Sequence, residues 1–195
     1  LQAGLDFSTQ PPAVLSNGII NTPEGVASIC DNAGNLLFYG GGSSIVNSTH
    51  VVMANGTGLF AGNGSSTQGM LFVKQPGNAN IYYVFTTDMT GGTSGFCYSI
   101  VDMVLAAGLG SVTVKNAPLY TPTCEKQVAV RHCNGRDVWI ITHHYGSNEF
   151  RTYLLTAGGV AANPVVSAVG ESPAGTAVSS LGQLKISPDG KKLAM

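Results

Sequence analysis

Three features of this 195-residue chain predict an all-β fold. Apolar residues seldom recur at the i, i+3, i+4 spacing of a helix. Short β-branched and aromatic runs are instead interrupted by Gly, Ser, Thr or Asn every ten residues or so, which is the pattern of strands separated by turns. Four of these runs also double back at a glycine into a second apolar run, as hairpins do.

The elements follow in order. Residues 26–30 turn at Gly34 into 36–39, and 70–73 turn at Gly77 into 81–85. Residues 128–131 turn at Asn134 and Gly135 into 138–141, and 184–187 turn at Asp189 and Gly190 into 192–194. Asn-Gly and Asp-Gly are strong hairpin signals because both central positions of a type I′ turn need positive φ. The four turn glycines are spaced 43, 58 and 55 residues apart. Third strands follow in phase, since the segments starting at Phe96 and Phe150 lie 54 residues apart. Fourth strands are expected at 112–114 and 165–166. Four antiparallel strands recurring every 40 to 60 residues or so is the period of a propeller blade. The chain is therefore expected to be an incomplete β-propeller of four-stranded antiparallel blades. The blades are placed at 24–60, 66–118, 125–170 and an incomplete 180–195, about three and a half of a ring of seven or eight. A β-sandwich is the rival, but it does not predict an in-phase four-strand repeat. Residues 191–195 read as a strand with no closing turn, so the sequence is expected to stop in mid-fold, and the Leu1-Gln2-Ala3-Gly4 opening suggests a processed or trimmed start.

Composition narrows the function. Nine Lys and Arg against ten Asp and Glu leave a net charge of −1, so no nucleic-acid partner is signalled. Only 10% of residues are charged, against about 25% in an ordinary soluble domain. Hydrophobic residues reach 44%, which supplies a core and excludes disorder. No apolar run approaches the roughly 20 residues of a membrane-spanning helix, and no membrane insertion is expected. With 17 Ser, 16 Thr, 13 Asn and 26 Gly, the surface is polar but hardly charged, as in secreted all-β proteins. Cys30, Cys97, Cys124 and Cys133 include no Cys-x-x-Cys pair, so zinc spacing is absent. They are read either as free thiols buried on strands or as including a Cys124–Cys133 disulfide that would fit an oxidising compartment.

A family resemblance runs along essentially the whole chain. Its carriers are Ala3 to Thr9 with Pro11 and Pro12, Glu24-Gly25, Gly34 to Tyr39, Asn55 to Leu59, and Ser66-Thr67-Gln68. Ile81 to Thr86, Gly146-Ser147-Asn148 and Ser187 to Lys191 complete the set. These segments resemble the N-terminal propeller of large surface proteins exported by the type IX secretion system of gliding and related Gram-negative bacteria, many of which end in a gliding-motility-type sorting domain. The sequence departs from that pattern at Gly40-Gly41-Gly42, where an Asp is expected before the last Gly, and at Val46, where a Trp is usual. The resemblance implies an extracellular or outer-surface location and a role in adhesion or assembly, and it brings no catalytic residues.

Motifs for chemistry are few. The chain has no Gly-x-Ser-x-Gly elbow, no His-Glu-x-x-His and no P-loop. Gly56 to Ala61 satisfies Gly-x-Gly-x-x-Ala, but it runs on into Gly62-Asn63-Gly64 instead of a helix that could hold a pyrophosphate. Asp31 to Asn35 lacks calcium-loop spacing and reads as a hairpin turn. His143 and His144 point to opposite faces of a strand and cannot easily chelate one ion, so one is expected to pack and the other to be exposed. Sialidase-type Asp boxes are missing from all four hairpins. Asn47, Asn55 and Asn63 match the N-glycosylation pattern, as chance allows in a chain this rich in Asn, Ser and Thr. Neither a metal nor a cofactor is expected.

Two groups of residues remain as site candidates. Glu24, Gln68 and Glu125 precede their turn glycines by ten, nine and ten residues, so they occupy equivalent places at the start of the innermost strands. They would ring a channel mouth, or else bond backbone groups of the next blade. The second group is Asp88, Glu125, His143, Tyr145 and Asn148, placed on the loops 88–95, 120–125 and 143–148, which with 40–44, 55–68 and 171–180 are expected at the end opposite the glycine turns. Loops on a rigid scaffold are where binding residues concentrate. The expected function is a non-catalytic secreted or cell-surface binding module that contacts a protein, a glycan or its own assembly. The alternative is an extracellular glycan lyase or hydrolase with part of its site in missing blades, for which Glu24 and Glu125 are the only candidate carboxylates visible here. Trp139 is expected to be buried, flanked by Val138 and Ile140.

Overall fold

The structure, a computed structural model, describes residues 4–195, which form an all-β chain. Its only helical pieces among those residues are 3-10 turns of three or four residues, at Gly62–Gly64, Met89–Gly91, Ala106–Gly108 and Ala177–Ser180. Strands β1 (Gly4–Asp6) and β2 (Ala13–Leu15) make a small hairpin. Next come β3 (Val26–Cys30), β4 (Leu36–Gly41), β5 (Ser44–Asn47) and β6 (Val52–Thr57), each antiparallel to its predecessor. A second such meander holds β7 (Met70–Lys74), β8 (Ile81–Thr87), β9 (Phe96–Asp102) and β10 (Ser111–Tyr120). A parallel bridge from Ser111 to Ala54 joins the two into one eight-stranded sheet in the order β3-β4-β5-β6-β10-β9-β8-β7. The third meander is β11 (Thr123–Arg131), β12 (Val138–His144) and β13 (Glu149–Thr156), with both β14 (Gly159–Val160) and β15 (Val165–Ala168) pairing β13. A last hairpin pairs β16 (Lys185–Ile186) with β17 (Leu193–Ala194).

All four expected hairpins form. Gly34, Gly77, Gly135 and Gly190 adopt φ of 88°, 72°, 72° and 70°, a region that costs any other residue strain. At the first turn Asp31 does the further work: Oδ1 accepts from the backbone N–H of Ala33 and Asn35, and Oδ2 accepts from the Asn35 amide. These bonds, the Asn35 side chain foremost, hold the Asp31 carboxyl below its usual pKa.

Strand alternation builds two cores from one sheet. Along β8, Tyr82 and Val84 join Phe38, Ile45, Met53, Met70, Val101 and Val112 between the first and second meanders. Their neighbours Tyr83 and Phe85 join Val73, Phe96, Ile140, Tyr153 and Leu155 between the second and third. The unbroken apolar run from Ile81 to Phe85 thus reflects a strand covered on both faces.

Two expectations need correction. Trp139 is half-buried, not buried: Ile140 faces the second core at 0% exposure, whereas Trp139 lies on the opposite face, its ring 5.2 Å from that of His132. No Cys124–Cys133 disulfide forms; Cys124 and Cys97 are buried free thiols, and Cys30 and Cys133 are exposed ones.

Candidate functional site

The starts of the first strands lie side by side and are stitched by polar side chains. Glu125 is fully buried, yet both its oxygens are satisfied. Oε2 accepts from Thr67 N–H at 2.8 Å and Thr67 hydroxyl at 3.0 Å, and Oε1 accepts from Thr90 N–H at 2.7 Å. Such charge-assisted bonds are what permit a carboxylate to sit out of water. Gln68 reaches the other way: its Oε1 accepts from Gln127 N–H at 3.1 Å and Leu184 N–H at 2.8 Å. Gln127 answers by donating Nε2 to the Gln68 carbonyl at 2.6 Å. The same amide oxygen therefore ties together three consecutive hairpins.

Of the three residues expected to ring a channel mouth, Gln68 and Glu125 bond backbone groups of adjoining meanders. Glu24 is exposed, and its carboxylate is 3.5 Å from the Thr67 hydroxyl. Thr67 consequently bridges the two glutamates. Sequence reasoning missed Thr67 and Gln127. Their signal is a polar residue just before, or within, the first strand of a unit that is otherwise apolar.

The loops expected to share an end do meet there. Gly91 lies directly against the Tyr145 ring, so a Cβ at that position would fall 2.5 Å from the ring carbon Cδ1. The Tyr145 hydroxyl donates to the Thr176 carbonyl at 3.0 Å. Thr121 donates to the Gly92 carbonyl at 3.4 Å, and Gly146 N–H donates to that of Pro173 at 3.0 Å. Asp88 is committed to its own loop, with Oδ1 accepting from Met89 N–H and Oδ2 from Ser94 N–H, both at 2.9 Å. Tyr145 and Asp88 thus shape the loop surface. Asn148 is half-exposed beside them.

Glu125 and His143 are corrected in their placement. They belong to β11 and β12, not to loops, and both are 0% exposed, while His144 is only partly covered. The His143 Nδ1 lies 3.0 Å from the His144 carbonyl and 3.9 Å from Cys124 Sγ, and the ring stands edge-on to Phe150 at 4.5 Å. Its Nε2 is buried without a partner. Burial therefore lowers the His143 pKa, and the nearby Lys126 adds to the shift. Burial likewise lowers that of His144, helped by Arg151. Burial pushes the Cys124 thiol up to about 11, which makes it a poor nucleophile at neutral pH.

Among the described residues no group of three or more His, Cys, Asp or Glu could hold a metal ion. No helix among them is long and apolar enough to cross a membrane. The fold and this stitched seam define an all-β protein of antiparallel meanders packed face to face. No family model, curated protein or solved structure matches the chain.

Proposed function

We propose that the chain is part of a β-propeller and serves as a non-catalytic binding module, with its partner meeting the loop-bearing end. The observation that carries the reading is the seam itself. First strands stand side by side, their starts joined through Gln68 and Glu125, while each sheet packs on the next through alternate residues of strands such as β8. That arrangement suits blades stacked around an axis. It leaves the glutamate side chain best placed for chemistry enclosed, since Glu125 spends both oxygens on backbone and hydroxyl donors. A glycosidase needs two carboxylates open to one cleft.

A location outside the cell or on its outer surface, and export by a type IX system, rest on the resemblance of segments such as Gly34 to Tyr39 and Ser187 to Lys191. The partner class is a surface protein, a glycan or other parts of the same assembly. The test is a binding screen of the intact protein on arrayed glycans and purified surface proteins. For any ligand found, Met89→Ala combined with Asn148→Ala at the loop end should weaken affinity about tenfold. Asn32→Ala in the opposite exposed turn should leave it unchanged. Product formation from a polysaccharide, abolished by Glu24→Gln, would establish the enzyme instead.

A further inference from the structure

Net charge near zero conceals a cationic groove at the opposite end from the loops. It is a shallow, open depression of about 520 Å³ between the second and third meanders, and its lining includes Lys74, Arg131 and Arg136 but no carboxylate residue. All three cations are exposed. Lys74 and Arg131 form no ion pair among the described residues; the Lys74 ammonium lies over the Tyr82 ring, 5.8 Å from its centroid, on the first-meander face of β7, and Arg136 engages Asp137 only through Nε, at 3.2 Å. The turn bearing Gly77 is held to the third meander by Gln75 Nε2, which donates to the Ala157 carbonyl at 2.9 Å, so the two walls are fixed relative to each other.

The walls differ in kind. From β11 only Ala129 and Arg131 line the groove, alternate residues of one face. From β7 the lining is consecutive, Phe72, Val73 and Lys74 and then Gln75, which a strand can offer only along its edge. That edge is open, because β7 ends the eight-stranded sheet and pairs only β8. Gln75 N–H bonds the Ile81 carbonyl, so by the antiparallel alternation Val73 also bonds β8, and the main-chain groups of Phe72 and Lys74 face the groove. An open strand edge flanked by cations is complementary to a ligand that brings both main-chain donors and acceptors and negative charge.

We propose that this groove binds an extended acidic peptide, which adds to the β7 edge as a strand and sets the carboxylates of one face on Lys74 and those of the other on Arg131 and Arg136. An acidic polysaccharide would satisfy the cations but would leave the edge without its ladder. The site is separate from the loop-bearing end, so it stands or falls independently of the binding role placed there.

The test uses a blocked eight-residue peptide of repeated Glu-Glu-Val-Val, which carries Glu on both faces of a strand, followed by fluorescence anisotropy at low and physiological salt. Saturable binding that weakens with salt is expected. Lys74→Glu and Arg131→Glu should each weaken it about tenfold or more, and Lys115→Glu, remote from the groove, should leave it unchanged. With the unmodified protein, a peptide of the same sequence N-methylated at alternate residues should lose affinity, and amide exchange at Phe72 and Lys74 should slow when the parent peptide binds. Absence of binding overturns the proposal. So does equal affinity for the N-methylated peptide, or equal competition by an oligogalacturonate of the same charge.

Discussion

At the scale of single residues, the polar groups enclosed in the seam set how stability responds to mutation and to pH. Glu125→Gln places an amide NH2 against backbone N–H donors that now point at a carboxylate oxygen, and Glu125→Ala removes all three bonds. Losses of about 1–3 kcal/mol and about 3 kcal/mol or more are expected in urea titration. His143 and His144 both have folded pKa values below the ordinary histidine value, chiefly because burial disfavours the charged ring. Their stabilising contribution is therefore complete above the unfolded value near 6.5 and is lost as pH falls through the folded values. Cys97 and Cys124, pushed up to about 11 by burial, act at the other limit. Their contribution is complete below the unfolded thiol pKa and is lost as pH rises toward 11. Urea midpoints measured across pH should be highest between about 7 and 8.5, and a His143→Phe variant should flatten the acid side. Very little of this was legible beforehand. Glu125 aligns with Glu24 and Gln68 by spacing alone, but its burial depends on where Thr67 and Thr90 arrive from distant parts of the chain.

Individual strands and turns were far more legible, because their causes are local. The β3 expectation matches Val26–Cys30 residue for residue, and each glycine turn forms where Asn-Gly, Asp-Gly or a lone Gly demanded positive φ. Less visible were the short β13–β14 hairpin and the partial exposure of Trp139. Both depend on packing partners and not on a local pattern. The turns allow a clean contrast. A Cβ at Gly135 would meet nothing within 4 Å, so Gly135→Ala carries only the cost of its φ of 72°, about 1 kcal/mol. At Gly91 the φ is similar, but the added carbon would collide with the Tyr145 ring. Gly91→Ala should cost about 2–3 kcal/mol and disturb the loop end. Within β12, Ile140→Ala opens a cavity in a closed core and should cost about 2–5 kcal/mol. Trp139→Ala, on the half-covered face, should cost about 2 kcal/mol despite the larger side chain. Thermal unfolding of the four variants orders them, and a Trp139→Ala loss above that of Ile140→Ala would show that its face is closed.

For the whole molecule, stability should grade across the stack, because each meander gains protection from what lies on its two faces. The second meander has both faces occupied: Tyr82 and Val84 pack toward the first, and Tyr83 and Phe85 toward the third. It is also clasped to the first at β6 and β10, where Lys115 donates to Asn55 Oδ1 at 2.7 Å and Asn55 donates to the Val112 carbonyl at 2.8 Å. Outward from there the covering thins. Val26 of β3 is 71% exposed, Val165 and Val166 of β15 are 56% and 50% exposed, and the β16–β17 hairpin buries little beyond Leu184. Opening free energies in packed arrays follow such neighbour contacts, and segments with few buried apolar groups open first. Native-state hydrogen exchange should therefore find the slowest amides in β8 and β9, intermediate ones in β4 and β12, and the fastest in β3, β15, β16 and β17. Gln68→Ala, which removes the oxygen shared by Gln127 and Leu184, should speed exchange in β16 and at the start of β11 while leaving β5 unchanged. Uniform protection across all three meanders, or equal acceleration everywhere in Gln68→Ala, would mean that the chain opens only as one unit and that the seam does not couple neighbours pairwise.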